Sequence, residues 1–394
     1  MCTLFHRTYL MAMEMAKTAK RALDFELAIR STTSGPSDSS AATLAAGYWE
    51  TSPDGILSGQ ALWLDLKRIE AVYRESNTHD YEMVKTVSLR QINPLALLTL
   101  QEKGDAEFDI PEVLFDLDFP GHFCRRIVSV AVSIPCIVGA NTNLSCTLSL
   151  NQHKYRISSS ADGYDAQKAA AFRTDRIPIT SIAVSSGVRD TGALDLDFRG
   201  NEQYGPFEGA GAISTWHISL PKTLRQFDYS SITDVVLHLR YTAFGAGGLL
   251  EMSASTAVNK WAKQPTIPAP GSEYGRVDKV LAVDLANDYP SEWQQVCSTG
   301  TTTLQNLDQR LPFWARTATK SSAITLLITP KPDSPNPQIR ANGITAKAEA
   351  SGPLGEYSTY QFKQGLDVTK PWTIKNLNHD HGFQRAWLLI QYSI

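Results

Sequence analysis

A mainly β protein of the α+β class, an antiparallel β-sandwich-like domain with short inserted helices behind an N-terminal α-helical arm, is the fold this sequence predicts. Three observations carry that prediction. Apolar and polar residues alternate with a period of two in several stretches after residue 105, as half-buried strands require. Helical spacings of three and four are concentrated before residue 104. Long connections rich in Gly, Pro and Ser separate the strands, which favours antiparallel sheets over a parallel sheet with regular crossovers. The expected division is a helical arm over 1–104, with a loop at about 31–47, and one β domain over 105–394.

In the arm, Met11, Met15, Ala19, Ala22, Phe25 and Ile29 recur at helical spacing opposite Lys17, Lys20, Arg21 and Glu26. The spacing predicts an amphipathic helix packed on another helix, since Glu14, Asp24 and Glu26 dilute the basic character of a membrane-surface helix. Residues 31–47, small and polar around Gly35-Pro36, read as a loop. From Gly59 a second apolar face runs through Leu62, Leu66, Ile69 and Tyr73, with Asp65, Lys67, Arg68, Glu70 and Arg74 toward solvent. Asn93-Pro94 opens a short buried helix, Asn capping an early amide and Pro pre-set for the first position, and Gly104 stops it.

Beyond residue 105, Val128, Val130, Val132 and Ile134 alternate with Ser129, Ala131 and Ser133, and Leu144, Cys146, Leu148 and Leu150 with Ser145, Thr147 and Ser149. The turn residues Gly139 to Asn143 between them predict a hairpin. Residues 158–175 read as a polar, mobile excursion, and 178–185 and 192–198 as further strands. The domain is organised around 206–242. After the glycine turn Phe207-Glu208-Gly209-Ala210-Gly211, Trp216, Ile218 and Leu220 face one way and Thr215, His217 and Ser219 the other, until Pro221 ends the strand. Val235, Leu237, Leu239 and Tyr241 then mark a second strand. Gly245 to Gly248 opens a helix with Leu250, Ala254 and Trp261 on one face, and 280–283, 324–328, 339–346 and 388–394 complete the strands.

The chain has 394 residues and a formal net charge of −3, so it holds no general attraction for nucleic acid or an anionic membrane. No apolar run approaches the roughly 18 residues of a membrane span. The N-terminus mixes charges into its apolar residues, unlike a signal peptide, so synthesis in the cytoplasm is expected. Five cysteines show no paired or metal-ligand spacing and are expected as reduced, mostly buried thiols.

PFEGAGAISTWHISLP followed by RQFDYSSITDVVLHLRYTA resembles the C-terminal part of the TcA subunits of bacterial insecticidal toxin complexes, the region that docks the TcB subunit. Further segments in the same order are GYWETSPDGILSGQALWLDLKRIEAVY (47–73), SLRQINPLALLTL (88–100), PEVLFDLDFPGHFCRRIVSVAVSIPCIVG (111–139) and AWLLIQYS (386–393). The resemblance implies a docking platform for a TcB-like partner, with N-terminal helices similar to the end of the TcA channel region. By the same resemblance the second helix continues to about Val87. It implies a part in a released toxin complex, leaves a homo-oligomer open, and implies no membrane insertion by this chain alone.

The residues themselves offer little chemistry. Gly209-Ala210-Gly211 lacks the flanking strand and helix of a dinucleotide loop, and its glycines read as backbone at positive φ. Asn378-His379-Asp380-His381 holds ligand types but reads as a polar turn. Asp116, Asp118, Glu208 and Asp228 are candidate acid pairs for a glycosidase, yet Asp116 and Asp118 beside Arg125-Arg126, and Asp228 beside Arg225, read better as ion pairs and turn caps. No catalytic residue, cofactor or metal is expected. Aromatic residues and Arg in loops between strands have the composition of protein interfaces, which makes Phe119, His122, Arg225, Phe227, Asp228 and Tyr229 the candidate partner-binding residues. The alternative is a carbohydrate-hydrolysing sandwich, which would need a cleft with paired carboxylates, or a carbohydrate-binding one, which would show exposed aromatic platforms.

Overall fold

The computed structural model describes residues 2–26, 58–76, 80–139, 142–157, 159, 164, 171–186, 193–195, 205–263, 279–312, 315, 321–329, 339–349, 357–362, 367–377 and 384–392. The arm contains α1 (Cys2–Glu26) and α2 (Ser58–Ser76). These helices meet through Tyr9, Ala16 and Leu62, with Met13 packed alongside. The face differs from the expected one, because Met11 and Met15 are 68% and 70% exposed and Asp65 is buried. Apolar residues surround α1 so widely that period alone does not decide which stripe finds a partner. The 31–47 loop and Ile29 lie outside the described residues.

Helix α2 is described as far as Ser76. Where the resemblance implied helix up to Val87, the chain forms strand β1 (Tyr81–Ser88), whose Met83 and Val87 are buried on alternating positions. Short helix α3 (Leu89–Ile92) and helix α4 (Pro94–Lys103) follow. Local chemistry decides α4 as the sequence predicts: the Asn93 side chain accepts from the Ala96 amide, Pro94 sits in the first turn, and Gly104 closes the helix at φ +79°.

Next come β2 (Asp105–Ile110), α5 (Glu112–Asp116), β3 (His122–Ser133), β4 (Leu144–Arg156), β5 (Phe172–Arg173), β6 (Ser181–Ser186), β7 (Ala193–Asp195), β8 (Ile213–Ser219) and β9 (Val236–Gly245). They form two antiparallel sheets, one in the order β1-β9-β3-β7 and the other β2-β8-β4-β5, with β6 also on β4. One core fills the space between them. Trp216, Ile218, Leu148 and Phe108 enter it from one sheet, and Leu237, Leu239, Tyr241 and Val130 from the other. Leu89, Leu97 and Leu100 of α3 and α4 belong to the same core.

The expected hairpin across 139–143 does not form. β3 pairs with β9 and β7, and β4 pairs with β8 and β6, so the connection carries the chain from one sheet to the other. Pro135 has no N–H to continue the ladder, and a sandwich covers both apolar strands better than an isolated hairpin would. Within 158–175, Tyr164 and Phe172 are buried, so the polar excursion is anchored at those two residues. Its other residues up to 170 lie mostly outside the described ones.

Helix α6 (Gly248–Lys263) buries Leu250 and Ala254. The chain then builds β10 (Val280–Asp284), α7 (Leu285–Asp288), α8 (Pro290–Thr299), β11 (Thr302–Leu304), β12 (Ser321–Thr329), β13 (Arg340–Ala341), β14 (Ile344–Thr345), β15 (Lys347–Glu349), β16 (Ser358–Phe362), β17 (Trp372–Lys375) and β18 (Arg385–Tyr392). Two further antiparallel sheets result, β10-β18-β12-β16-β15 and β11-β17-β13-β14, around a second core that includes Leu326, Leu388, Ile390, Phe362 and Trp372. The stretch 339–346 is a tight hairpin turned at Asn342-Gly343, both at positive φ, and not one strand. The other face of β18 meets α4, where Trp387 and Leu389 pack with Leu98.

Among the described cysteines, Cys124 and Cys146 are buried and Cys297 is exposed. Burial pushes the Cys124 and Cys146 thiols up to about 11. No described helix is long and apolar enough to cross a membrane.

Candidate functional site

The turn before β3 carries two of the sequence candidates. Gly121 adopts φ +80° with the backbone of Glu251 pressed against it, so that a Cβ there would come within 2.8 Å of the Glu251 Cα. That contact seats the turn on α6 and leaves Phe119 42% exposed. His122 lies edge-on to Phe119 at 5.8 Å and to Tyr81 of β1 at 5.5 Å, which makes a three-ring cluster at the sheet edge.

The crossover between β8 and β9 gathers the other four. Tyr229 is 2% exposed and donates to the Pro221 carbonyl at 2.6 Å, so it belongs to the core and not to an open surface. Phe227 leans edge-on against it at 5.0 Å and is half-buried. Arg225 lies over the Tyr229 ring at 5.0 Å and donates to the Glu102 carbonyl, so its guanidinium is fixed although exposed. Asp228 caps the turn Tyr229–Ser231, accepting from the Ser230 amide at 2.9 Å and hydroxyl at 2.6 Å. The Ser230 hydroxyl holds the Asp228 carboxyl below its usual range, and the charges of Arg385 and Arg225 add to the effect. The six candidates thus form two clusters on different elements: Phe119 with His122, and Arg225 with Phe227, Asp228 and Tyr229.

The candidate acid groups are structural. Asp116 accepts from Arg125 at 2.6 Å and from the Tyr164 hydroxyl. Burial pushes the Asp116 carboxyl above its ordinary range against the pull of Arg125. Glu112 takes two parallel bonds from Arg156, both 2.8 Å, and Arg156 lies between the Tyr164 and Phe172 rings at 4.4 and 4.6 Å. Asp118 accepts from Lys85, and Glu208 from the Gly205 amide. Sequence reasoning expected Asp116 and Asp118 to pair with Arg125-Arg126 and Asp228 with Arg225. The Asp116–Arg125 pair forms, but Asp118 pairs with Lys85, and Arg225 donates to the Glu102 carbonyl while Asp228 caps its turn through Ser230. Sequence reasoning missed Glu112, Arg156 and Tyr164, whose meeting depends on segments 44 and 48 residues apart.

Of the two glycines expected at positive φ, only Gly209 is, and Gly211 serves close packing instead. Gly209 sits at φ +79°, and Gly211 lies so close to β4 that a Cβ would fall 2.2 Å from the Lys154 carbonyl oxygen. The His379–His381 motif is outside the described residues. A groove of about 640 Å³ opens beside the β4 bulge, lined by Asp109, Gln152, His153, Asp175, Arg176 and Thr215 among others. Its two carboxylates are committed, Asp109 to the Thr215 hydroxyl at 2.6 Å and Asp175 to Arg173 at 2.8 Å and to Tyr155.

A sandwich with loop-borne aromatic and arginine clusters has the build of a protein-binding module, and comparison with known proteins gives it a family. The chain belongs to the Tc toxin complex TcA C-terminal TcB-binding domain family, which matches residues 1–243. The match therefore covers the arm and the first sandwich as far as Ala243 of β9, and the AWLLIQYS segment falls outside it. Toxin subunit YenA2 of Yersinia entomophaga is 32% identical over 213 residues, which is 51% of this chain and 15% of that subunit. Among solved structures, Yersinia pseudotuberculosis TcaA-TcaB is similar at 23% identity and a TM-score of 0.33, over 48% of this chain and 11% of that one. Morganella morganii TcdA4 is similar at 18% identity and a TM-score of 0.36, over 58% and 10% of the respective chains. The chain thus spans a small part of the length of these toxin proteins.

Proposed function

We propose that this chain is a docking module without catalytic activity that binds a TcB-like subunit of a toxin translocation complex. Membership of the TcB-binding family over residues 1–243 carries the reading. The units that go with this reading are the arm up to residue 76, the first sandwich over 81–243 and the second over 280–392. Phe119, His122, Arg225, Phe227 and Asp228 are the surface contacts of the docking module, and Tyr229 supports Phe227 from beneath.

Titration calorimetry of the full chain with a purified TcB-like propeller subunit tests the proposal. Binding is expected. The Phe119→Ala/Arg225→Ala variant should bind about tenfold more weakly while keeping a cooperative melting transition, as surface anchors require. No heat of binding at any accessible concentration would overturn the docking reading. Binding to a glycan array in its place would favour the carbohydrate alternative.

A further inference from the structure

Helix α1 is described as far as Glu26, and its last described turn carries Asp24 and Glu26 and no basic residue. The last carbonyls of a helix have no partner within it, and they carry the partial negative charge of its dipole. The first sandwich supplies what the helix lacks. Arg173 of β5 donates to the Asp24 carbonyl at 2.8 Å. Arg126 of β3 donates to the Phe25 carbonyl at 2.7 Å and, through its other terminal nitrogen, to the Glu26 carbonyl. The Arg126 guanidinium also lies 5.1 Å from the Phe25 ring centre and 5.7 Å from that of Tyr155. Below it, the Phe25 ring rests on Gly209, where a Cβ would come within 3.0 Å of the ring.

The strand is shaped to aim Arg126 this way. Cys124, neither Gly nor Asn, sits at φ +54°, and the pairing of β3 with β9 shifts register between Phe123 and Arg126. A bulge of this kind re-aims side chains at the cost of local strain. Here two consecutive arginines go to different destinations: Arg125 reaches the buried Asp116, and Arg126 reaches the end of α1.

We propose that Arg126 and Arg173, with the Gly209 floor, form a recognition site for the C-terminal turn of an α-helix, occupied in this chain by α1, and that this site fixes the direction of the arm on the first sandwich. The contact between α1 and α2 is a weaker guide, since it buries Tyr9, Ala16 and Leu62 and leaves Met11, Met15 and Trp63 exposed. The proposal is independent of what the module docks.

Hydrogen exchange with mass spectrometry on the full chain tests it. In Arg126→Gln/Arg173→Gln, amides of residues 20–26 should exchange at least about tenfold faster, while those of β8 and β9 keep their rates. Arg126→Lys, which keeps the charge but loses the paired N–H geometry, should fall between. Phe25→Ala leaves both arginines in place and should also release residues 20–26. Unchanged exchange there in both the double variant and Phe25→Ala would overturn the proposal. Loss of protection across β8 and β9 in the double variant, with no effect of Phe25→Ala on residues 20–26, would also overturn it, since the arginines would then serve the sandwich alone.

Discussion

Arg156 is 1% exposed and Glu112 3%, so neither charge is solvated by water in the folded chain. Such a pair contributes little net stability compared with apolar groups of the same shape, but losing one partner strands the other. Arg156→Met should therefore cost about 3–5 kcal/mol, and Glu112→Leu/Arg156→Met clearly less. Urea unfolding of the two variants checks this, and equal losses would show that Glu112 is satisfied by Arg125 alone, 3.9 Å away. Among the described atoms, one Arg156 Nη and the Arg125 Nε have no hydrogen-bond partner, as in a network that selects one packing and does not maximise stability.

At the scale of the element, helix ends are held by cations from elsewhere in the chain. Lys279, just before β10, donates to the Trp261 and Ala262 carbonyls at the end of α6, with its ammonium 4.5 Å from the Trp261 ring centre. Burial depresses the Lys279 ammonium to about 8. Between that value and its ordinary one of about 10.4 the unfolded chain binds more protons than the folded one, so this group makes stability rise with pH. Below about 8 the ammonium is charged in both states, and its desolvation cost is fully present. The stability of the unaltered chain relative to Lys279→Met should therefore increase from pH 7 to pH 10, read from urea midpoints. A constant difference would mean that the ammonium is not desolvated.

The whole molecule turns on the seam between its two sandwiches. Trp387 and Leu389 of β18 pack against Leu98 of α4, and arginines flank the seam. Arg90 donates to the Ala282 carbonyl at 2.8 Å and to Asp288, and Arg385 donates to Asp284 at 2.7 Å and to the Ser230 carbonyl. Both guanidinium groups lie within 6 Å of the Trp387 ring, at 5.6 and 5.8 Å. A seam that is both apolar and ionic should melt with the sandwiches it joins. Calorimetry is expected to show one cooperative transition for the full chain and two for Trp387→Ala/Arg90→Ala, since each sandwich keeps its own core. A single transition in the variant would mean that the cores are coupled by other contacts.

The amino-acid sequence by itself determined what depends on neighbours along the chain. Asn93, Pro94 and Gly104 bound α4 through caps that act within a turn, and the period of two around Trp216 and Leu237 placed β8 and β9 with the correct faces inward. The mainly β class was legible for the same reason, and the family from the resemblance of its segments. Tertiary structure decided which apolar faces meet. β3 and β4 left their shared turn for different sheets, β1 extended where the resemblance implied helix, and residues 105–394 divided between two cores. It also decided which candidate side chains stay open: Tyr229, chosen for its composition, went into the core, while Phe119 remained at the surface. The physical reason is one of range. Caps and alternation are set within a few residues, whereas strand pairing and burial are chosen among surfaces from tens to more than a hundred residues apart, by apolar area that no local window contains.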